Sequence, residues 1–209
     1  MDNQTIPRWL SWARQIQALS QSGLAYTQNH FDIQRYHQLM QIAAEIVQAQ
    51  STEAAPELLA SFVAQAGYAT PKVDVRGAVV QEGQILLVQE SRDQRWCMPG
   101  GWADVGELPS ASVEREVWEE SGYQVRARKI VGVYDANRGG GPLSFFHAYK
   151  IVFLCDLLGG AAQPSDETTA VGFFAYDDLP PLSKPRTDER HLAEVVAHLK
   201  DPSREAAFD

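Results

Sequence analysis

A short segment near the middle of the chain predicts a loop that leads into a helix with a defined start and end. Pro109 suits the first turn of a helix, where its missing N–H is no loss, and Gly122 suits the residue that ends one. Glu116 precedes Glu119 and Glu120 by three and four residues. Side chains at these spacings are neighbours on a helix, so Glu116 is predicted to lie beside both other carboxylates.

Three carboxylates on one side of a helix repel one another, by about a few tenths of a kcal/mol per pair, so the helix itself gains nothing from them. Hard divalent cations such as Mg²⁺ bind oxygen ligands and would relieve the repulsion. Gly100 and Gly101 permit a tight turn that exposes a backbone carbonyl, which is a further ligand of this kind. Arg115 could hold a carboxylate such as Glu107 in a bidentate pair. A solvated acidic helix is the alternative explanation for Glu119 and Glu120 alone, but it does not account for the whole spaced pattern.

The residues around this segment divide the chain into two parts. Residues 5–66 carry three amphipathic helical runs, and we expect Gly23 to end the first and Gly67 to end the third. The apolar positions of the first run are Trp9, Trp12, Ile16 and Leu19, and the tryptophans and Tyr26 are expected in the core. A helical unit this small buries little surface alone, so it is expected to pack on the rest of the chain or on a second subunit.

From about residue 72 onward, strand and helix patterns alternate irregularly. The predicted strands are 73–80, 85–88, 130–134, 147–154 and 171–175, the predicted helices are 109–121 and 189–200, residues 139–142 form a loop, and the C-terminal residues fray. Because there is no regular βαβ repeat, the pattern favours an α+β fold with a mixed sheet.

The charge and composition of the chain argue against several classes of binding partner. The net charge is −9, from 27 acidic and 18 basic residues, which speaks against a general nucleic-acid or anionic-membrane binder. No stretch approaches the ~18 consecutive apolar residues of a membrane span, and two cysteines are too few for a disulfide framework. We therefore expect a soluble cytoplasmic protein that binds neither nucleic acid nor membrane, with Cys97 a buried, unreactive thiol and His147 a packed or hydrogen-bonded histidine.

The segment from Gly101 to Tyr123 resembles the Nudix box. That pattern is Gly, five residues, Glu, seven residues, and then Arg-Glu-aliphatic-any-Glu-Glu-any-Gly-aliphatic. Its fixed positions are here Gly101, Glu107, Arg115, Glu116, Glu119, Glu120 and Gly122. The one departure is Tyr123, where the pattern has an aliphatic residue, and a tyrosine there is expected to cost little in catalysis.

The resemblance implies a fold, an activity and a set of roles. The fold is a Nudix α/β/α sandwich with a mixed sheet (residues 67–209), preceded by a small all-helical N-terminal domain (residues 1–66). The activity is Mg²⁺- or Mn²⁺-dependent hydrolysis of the pyrophosphate bond in a nucleoside diphosphate linked to another group, X, giving a nucleoside monophosphate and phospho-X. The metal ligands would be the Gly101 carbonyl, Glu116, Glu119 and Glu120, oriented by Arg115 and Glu107. Glu116 and Glu120 would act directly in catalysis, and Glu167 is the candidate general base or extra ligand outside the box.

Two further regions, residues 12–36 and 173–183, are similar to one subgroup of bacterial Nudix pyrophosphatases described for ADP-ribose and CDP-choline. The helical domain of that subgroup is linked with dimerisation, so a homodimer through the N-terminal helices is expected. The alternatives are a nucleoside triphosphate pyrophosphatase and a Nudix-fold regulator that binds ligand without cutting it. Regulators commonly lose box carboxylates, whereas this chain retains them all. The identity of X stays open: Arg76 and Arg138 are candidate phosphate contacts, and the candidate aromatic platforms are Trp102, Tyr134, Phe145 and Tyr149.

Overall fold

A computed structural model of the chain describes residues 7–50, 55–138 and 145–209. These residues form two compact units. One comprises the described residues up to Pro71 together with Phe145 and Phe146, and the other comprises Lys72 to Arg138 and His147 to Asp209. The glycine-rich loop expected at residues 139–142 lies outside the described residues.

The first unit is helical, as its sequence predicts. It contains α1 (Arg8–Tyr26), α2 (His30–Gln48) and α3 (Ala55–Val63). The Asn29 side chain caps α2 by accepting a hydrogen bond from the backbone N–H of Phe31. The core of this unit is formed by Ala13, Met40, Ala43, Ala44, Val47, Leu58 and Phe62, and Leu10 is buried as well.

The expectation that Gly23 ends α1 is wrong. The helix continues to Tyr26, and the backbone N–H of Thr27 bonds to the Gly23 carbonyl. A Cβ atom at Gly23 would overlap the ring of Tyr36 on α2. Gly23 therefore serves the close approach of two helices rather than a helix end.

The core positions expected for α1 are right for Trp9 and Ile16, which pack against the helical core, and wrong for the others. Trp12, Leu19 and Tyr26 are 54%, 70% and 76% exposed, whereas Leu10 and Ala13 are buried. Helix α1 is apolar on more than one side, and periodicity cannot tell which side meets a neighbour. Small residues such as Ala13 and Gly23 let α2 approach closely, so that side of α1 is buried, whereas Trp12 and Tyr26 point outward.

The second unit is built on a mixed seven-stranded sheet, ordered β3-β2-β1-β5-β4-β7 with β6 also paired to β2. Its strands are β1 (Lys72–Gln81), β2 (Gln84–Glu90), β3 (Trp96–Cys97), β4 (Tyr123–Asp135), β5 (Ala148–Gly160), β6 (Thr168–Ala175) and β7 (Ala207–Phe208). β1 and β2 form the predicted antiparallel hairpin, whose turn residues Glu82 and Gly83 have φ values of 51° and 79°. β1 also runs parallel to β5, which makes the sheet mixed.

Helix α4 (Pro109–Ser121) and helix α5 (Glu189–Lys200) cover the sheet through separate cores. Val79 of β1 belongs to the core that contains Val113 and Val117 of α4. Its neighbour Ala78 belongs to the core that contains Leu192 of α5. Since successive strand residues point to opposite faces, the two helices lie on opposite sides of the sheet. This confirms the predicted α+β sandwich.

The C-terminal residues do not fray as expected. β7 pairs in parallel with β4, with Ala207 opposite Gly132 and Phe208 opposite Val133. The Lys129 ammonium also donates hydrogen bonds to the carbonyls of Pro202 and Arg204. Among the helices described, none has the length and apolar character needed to cross a membrane.

Candidate active site

Helix α4 begins and ends at the residues that its sequence predicts. Pro109 is its first residue, and Gly122 ends it in the left-handed conformation with φ 75°. Val117 packs toward β1, where a Cβ atom at Gly77 would overlap its side chain. The absence of a side chain at Gly77 therefore lets α4 lie close against the sheet.

The two glycines before the helix bring the loop against both β1 and α4. Gly100 has φ 145° and donates its backbone N–H to Oε2 of Glu120 at 2.8 Å. The Gly101 carbonyl accepts a hydrogen bond from the backbone N–H of Val75 at 2.8 Å. A Cβ atom at Gly101 would lie only 2.7 Å from Oε2 of Glu116, so glycine is what permits this carboxylate to approach the loop.

Arg115 binds three of the four box carboxylates. Its Nε and Nη2 atoms contact the two oxygens of Glu107 at 3.0 and 3.1 Å, which is the bidentate pair suggested by the sequence. Its Nη1 atom contacts Glu116 at 2.9 Å and Glu119 at 2.8 Å. The hydrogen bond from Arg115 lowers the pKa of Glu107. Arg115 thus fixes the loop to the helix and orients Glu116.

The fourth box carboxylate, Glu120, is in a different environment. It is only 6% exposed, and its hydrogen-bond donor is the backbone of Gly100. Burial raises its pKa to about 7, against the opposing effects of Arg76 and of the Gly100 hydrogen bond. Burial likewise raises the pKa of Glu116, although Arg115 opposes the shift. Both carboxylates are held in positions where a bound cation would lower the cost of their charge.

A cavity of about 570 Å³ lies beside these groups. Its described lining is Arg76, Glu90, Ser91, Arg92, Gly100, Gly101, Trp102, Asp104, Glu116, Glu120, Asp166, Glu167 and Arg186. It therefore brings together Gly101, Glu116, Glu120 and Glu167 from the set predicted from the sequence. Glu107, Arg115, Glu119 and Arg138 are not among the described residues that line it.

The two arginines proposed from the sequence as phosphate contacts differ in position. Arg76 lines the cavity but is buried, with its guanidinium paired to Asp74 at 2.9 Å and bonded to the Met98 carbonyl at 3.2 Å. Arg138 lies outside the described lining, 3.9 Å from Asp135, and its side chain is half exposed.

Glu167 precedes β6, and its backbone is fixed by a hydrogen bond from the N–H of Ser91 to its carbonyl. Among the aromatic candidates, Trp102 lines the cavity and is 55% exposed. Tyr134 belongs to the sheet core, and Phe145 packs on the helical unit. Cys97 is buried as expected, and burial raises the pKa of its thiol well above the usual value.

Sequence reasoning missed Glu90, Arg92 and Arg186 in the cavity. The Arg186 Nε atom lies 2.8 Å from Oε1 of Glu90, although 96 positions separate the two residues. The sequence offers a weak local signal, since Glu90 and Arg92 lie two and four positions after the predicted strand 85–88. No local pattern could have placed Arg186 beside them.

The donor set suits a hard divalent cation, although the side chains are not gathered around one point. Within the described residues, no group of three or more His, Cys, Asp or Glu side chains is arranged to hold a metal ion. The box residues at the cavity nevertheless offer oxygen ligands, namely the carboxylates of Glu116 and Glu120 and the backbone of Gly101. Glu120 adds a buried carboxylate whose hydrogen-bond donor is the Gly100 backbone. These residues fit Mg²⁺ or Mn²⁺ in donor chemistry.

Comparisons with known proteins assign both parts of the chain to described families. Residues 7–62 match a family model described as a UDP-X-like, N-terminal oligomerisation domain, and residues 71–199 match the NUDIX domain. YjhB of Bacillus subtilis, provisionally named an ADP-ribose pyrophosphatase, is 37% identical over 97% of both chains.

Two solved structures are also similar. A Streptococcus suis ADP-ribose pyrophosphatase is 42% identical with a TM-score of 0.62, covering 67% of this chain and all of that one. A UDP-X diphosphatase is 29% identical with a TM-score of 0.62, covering 97% of this chain and 98% of that one. With its box residues, its sandwich fold and these matches together, the chain belongs to the Nudix hydrolase family.

Proposed function

We propose that the protein hydrolyses the pyrophosphate bond of a nucleoside diphosphate linked to X, of the ADP-ribose class, and releases a nucleoside monophosphate and phospho-X. The observation that carries this proposal is a single cavity lined by Gly101, Glu116 and Glu120. A regulator that only binds its ligand has no need to keep buried carboxylates at this position, since they cost free energy. Their retention favours catalysis.

Nudix hydrolases generally need divalent metal ions. In this chain the Gly101 carbonyl, Glu116 and Glu120 would hold Mg²⁺ or Mn²⁺, and Glu119, on the more exposed side of α4, would be a further ligand. When bound, such ions neutralise charge on the phosphate oxygens and lower the pKa of an attacking water.

The chain's own residues supply position and proton transfer. Arg115 holds Glu107 and Glu116, so the loop and the helix keep one relative position. The backbone of Gly100 holds Glu120. Glu167 is exposed at the cavity on a backbone fixed to Ser91, and we assign to it the removal of a proton from the attacking water. Phosphoryl transfer depends mainly on such positioning and on electrostatics.

The ADP-ribose class is supported by the names of the relatives, of which YjhB spans nearly the whole chain. A second candidate class is UDP-linked compounds, because the full-length structural match and the N-terminal family model are both described by UDP-X. CDP-choline is a third candidate, from the subgroup resemblance alone.

A substrate panel tests the proposal. ADP-ribose, UDP-glucose, CDP-choline, a dinucleoside polyphosphate and the nucleoside triphosphates are each incubated with Mg²⁺, with Mn²⁺ and with chelator. We expect one diphosphate to be cut much faster than the others, and chelator to stop the reaction. Cleavage of triphosphates alone would favour a nucleoside triphosphate pyrophosphatase. Binding of ADP-ribose without cleavage of any compound would favour the regulator.

The helical unit is proposed to form a homodimer. Trp12, Leu19 and Tyr26 are exposed at intervals of seven residues and so form one apolar stripe along α1. We expect light scattering to give a dimer for the wild type and a monomer for Leu19→Glu. Gln34→Glu, which adds the same charge at an exposed position of α2, should stay dimeric.

A further inference from the structure

The cavity of the candidate active site contains arginines as well as carboxylates, and they come from different elements. Glu116 and Glu120 are on α4, whereas Arg92 follows β2 and Arg186 precedes α5. On the basis of the proposed function, we propose that Arg92 and Arg186 bind the diphosphate group of the substrate. They would take the role that the sequence suggested for Arg76 and Arg138.

The guanidinium of Arg186 is held in a fixed orientation. Its Nε atom contacts Glu90 at 2.8 Å, and its Nη1 atom donates to the Ser183 hydroxyl at 3.1 Å and lies 3.5 Å from Asp93. The Nη2 group takes part in none of these three contacts. An arginine held on one edge keeps further N–H donors for a phosphate, which it can bind through two parallel hydrogen bonds.

The backbone around Arg186 is also fixed by hydrogen bonds to buried residues of the sheet unit. Lys150 is 1% exposed, and its ammonium donates to the carbonyls of Pro185 and Arg186. The Thr187 hydroxyl accepts a hydrogen bond from the backbone N–H of Met98 at 2.9 Å. Burial of the ammonium is unfavourable, and it lowers the pKa of Lys150 to about 8. Because Lys150 and Thr187 fix this loop, Arg186 is already in position before a ligand binds. Such preorganisation reduces the conformational entropy that is lost on binding.

Arg92 complements this fixed group. It is exposed, and within residues 7–50, 55–138 and 145–209 it forms no ion pair with a carboxylate. Its charge is therefore available to a ligand. Arg76 differs, because its guanidinium is buried and already bonded to Asp74 and to the Met98 carbonyl. Arg92 and Arg186 thus give an overall acidic chain a local site for an anion.

Three substitutions test the proposal: Arg92→Gln, Arg186→Gln and Arg186→Lys. Arg204→Gln is the matched control, because Arg204 also pairs with a carboxylate, Glu194, but does not line the cavity. For ADP-ribose we expect both glutamine variants to raise KM by about 10-fold or more, the scale of a lost charge-assisted hydrogen bond, with kcat within about threefold. Arg186→Lys should recover part of the loss, since it keeps the charge without the planar fork. The control should match the wild type.

Binding is measured separately by calorimetry in a Glu120→Gln background, with ADP-ribose and UDP-glucose as probes. The affinity should fall by the same factor as KM rises. Arg186→Gln leaves the buried Glu90 without its cation, so thermal unfolding is recorded for each variant. Arg92→Gln removes no ion pair of the described structure and keeps the test decisive even if Arg186→Gln is unstable.

Wild-type KM and wild-type affinity in Arg92→Gln and in a folded Arg186 variant would overturn the proposal. If the wild type binds a probe but cuts neither, the proposed function fails while the affinities still decide the role of the arginines. If the wild type binds neither probe, both proposals fail.

Discussion

Asp74→Asn is expected to destabilise the sheet unit strongly, because Asp74 lies between two buried cations. Its carboxylate is 2.9 Å from Nη2 of Arg76 and 3.7 Å from Nζ of Lys150. Asp74, Arg76 and Lys150 are 7%, 6% and 1% exposed. The substitution keeps the shape of the side chain but leaves two like charges buried together.

The magnitude follows from these distances. At an effective dielectric constant of about 20, unit charges at these separations attract by about 6 and about 4 kcal/mol. The burial of a carboxylate costs several kcal/mol, which offsets part of that attraction. The net loss should therefore be about 3–5 kcal/mol, the range found when one partner of a buried ion pair is removed.

Urea unfolding at pH 7, followed by circular dichroism and tryptophan fluorescence, measures this loss. The control is Asp156→Asn, because Asp156 pairs with Arg128 at 3.6 Å with both side chains about half exposed. Exposed pairs contribute about 0–1 kcal/mol, so the control should unfold close to the wild type. A loss below about 1 kcal/mol for Asp74→Asn would refute the reasoning that burial makes this pair strong.

The pH dependence gives a second check. Burial lowers the pKa of Lys150 from 10.5 to about 8, so between these values the unfolded chain binds more protons and the stability contributed by this group rises with pH. Asp74 is the largest effect that opposes this shift. Its removal should lower the pKa of Lys150 further. The deficit of Asp74→Asn should therefore shrink between about pH 7 and pH 9, and a constant deficit would contradict this.

Three further substitutions have definite expected outcomes. Gly23→Ala should lower the stability of the helical unit by about 1–3 kcal/mol in thermal unfolding, because its Cβ atom would overlap Tyr36. Glu107→Gln should reduce kcat/KM by about 10-fold or more with little change in melting temperature, because it weakens the pair with Arg115 that orients Glu116. Asp188→Ala removes the cap of α5 and should cost about 1–2 kcal/mol in urea unfolding at neutral pH. Hydrogen bonding to His191 lowers the pKa of Asp188 below 3.8, so the deficit should vanish as the pH falls through the acid range.

Features that depend on near neighbours in the chain could be predicted from the sequence. The bounds of α4 agree residue for residue, since Pro109 and Gly122 determine where a helix can start and stop whatever packs against it. The β1–β2 hairpin and the Arg115–Glu107 pair are local in the same sense.

Features that depend on packing between distant parts of the chain could not be predicted from the sequence. The sequence predicts that Gly23 ends a helix, whereas in the structure Gly23 lies within α1 and the ring of Tyr36 on α2 packs against it. Trp12 and Tyr26 are predicted to be core residues because large aromatic side chains are usually buried. In the structure, however, small residues on another side of α1 determine which side is buried. In the cavity, Glu90 and Arg186 meet only because the loop before α5 returns to the end of β2.

Product release from ADP-ribose by the wild type and by Glu120→Gln tests the central claim most directly. With Mg²⁺ or Mn²⁺ the wild type should release AMP and ribose 5-phosphate, and chelator should stop it. Glu120→Gln should fold normally and lose activity by about 100-fold or more, because it removes a carboxylate that would hold the metal. If Glu120→Gln releases AMP at the wild-type rate, or the wild type works equally well in chelator, the assignment of the box carboxylates to metal-dependent hydrolysis is wrong.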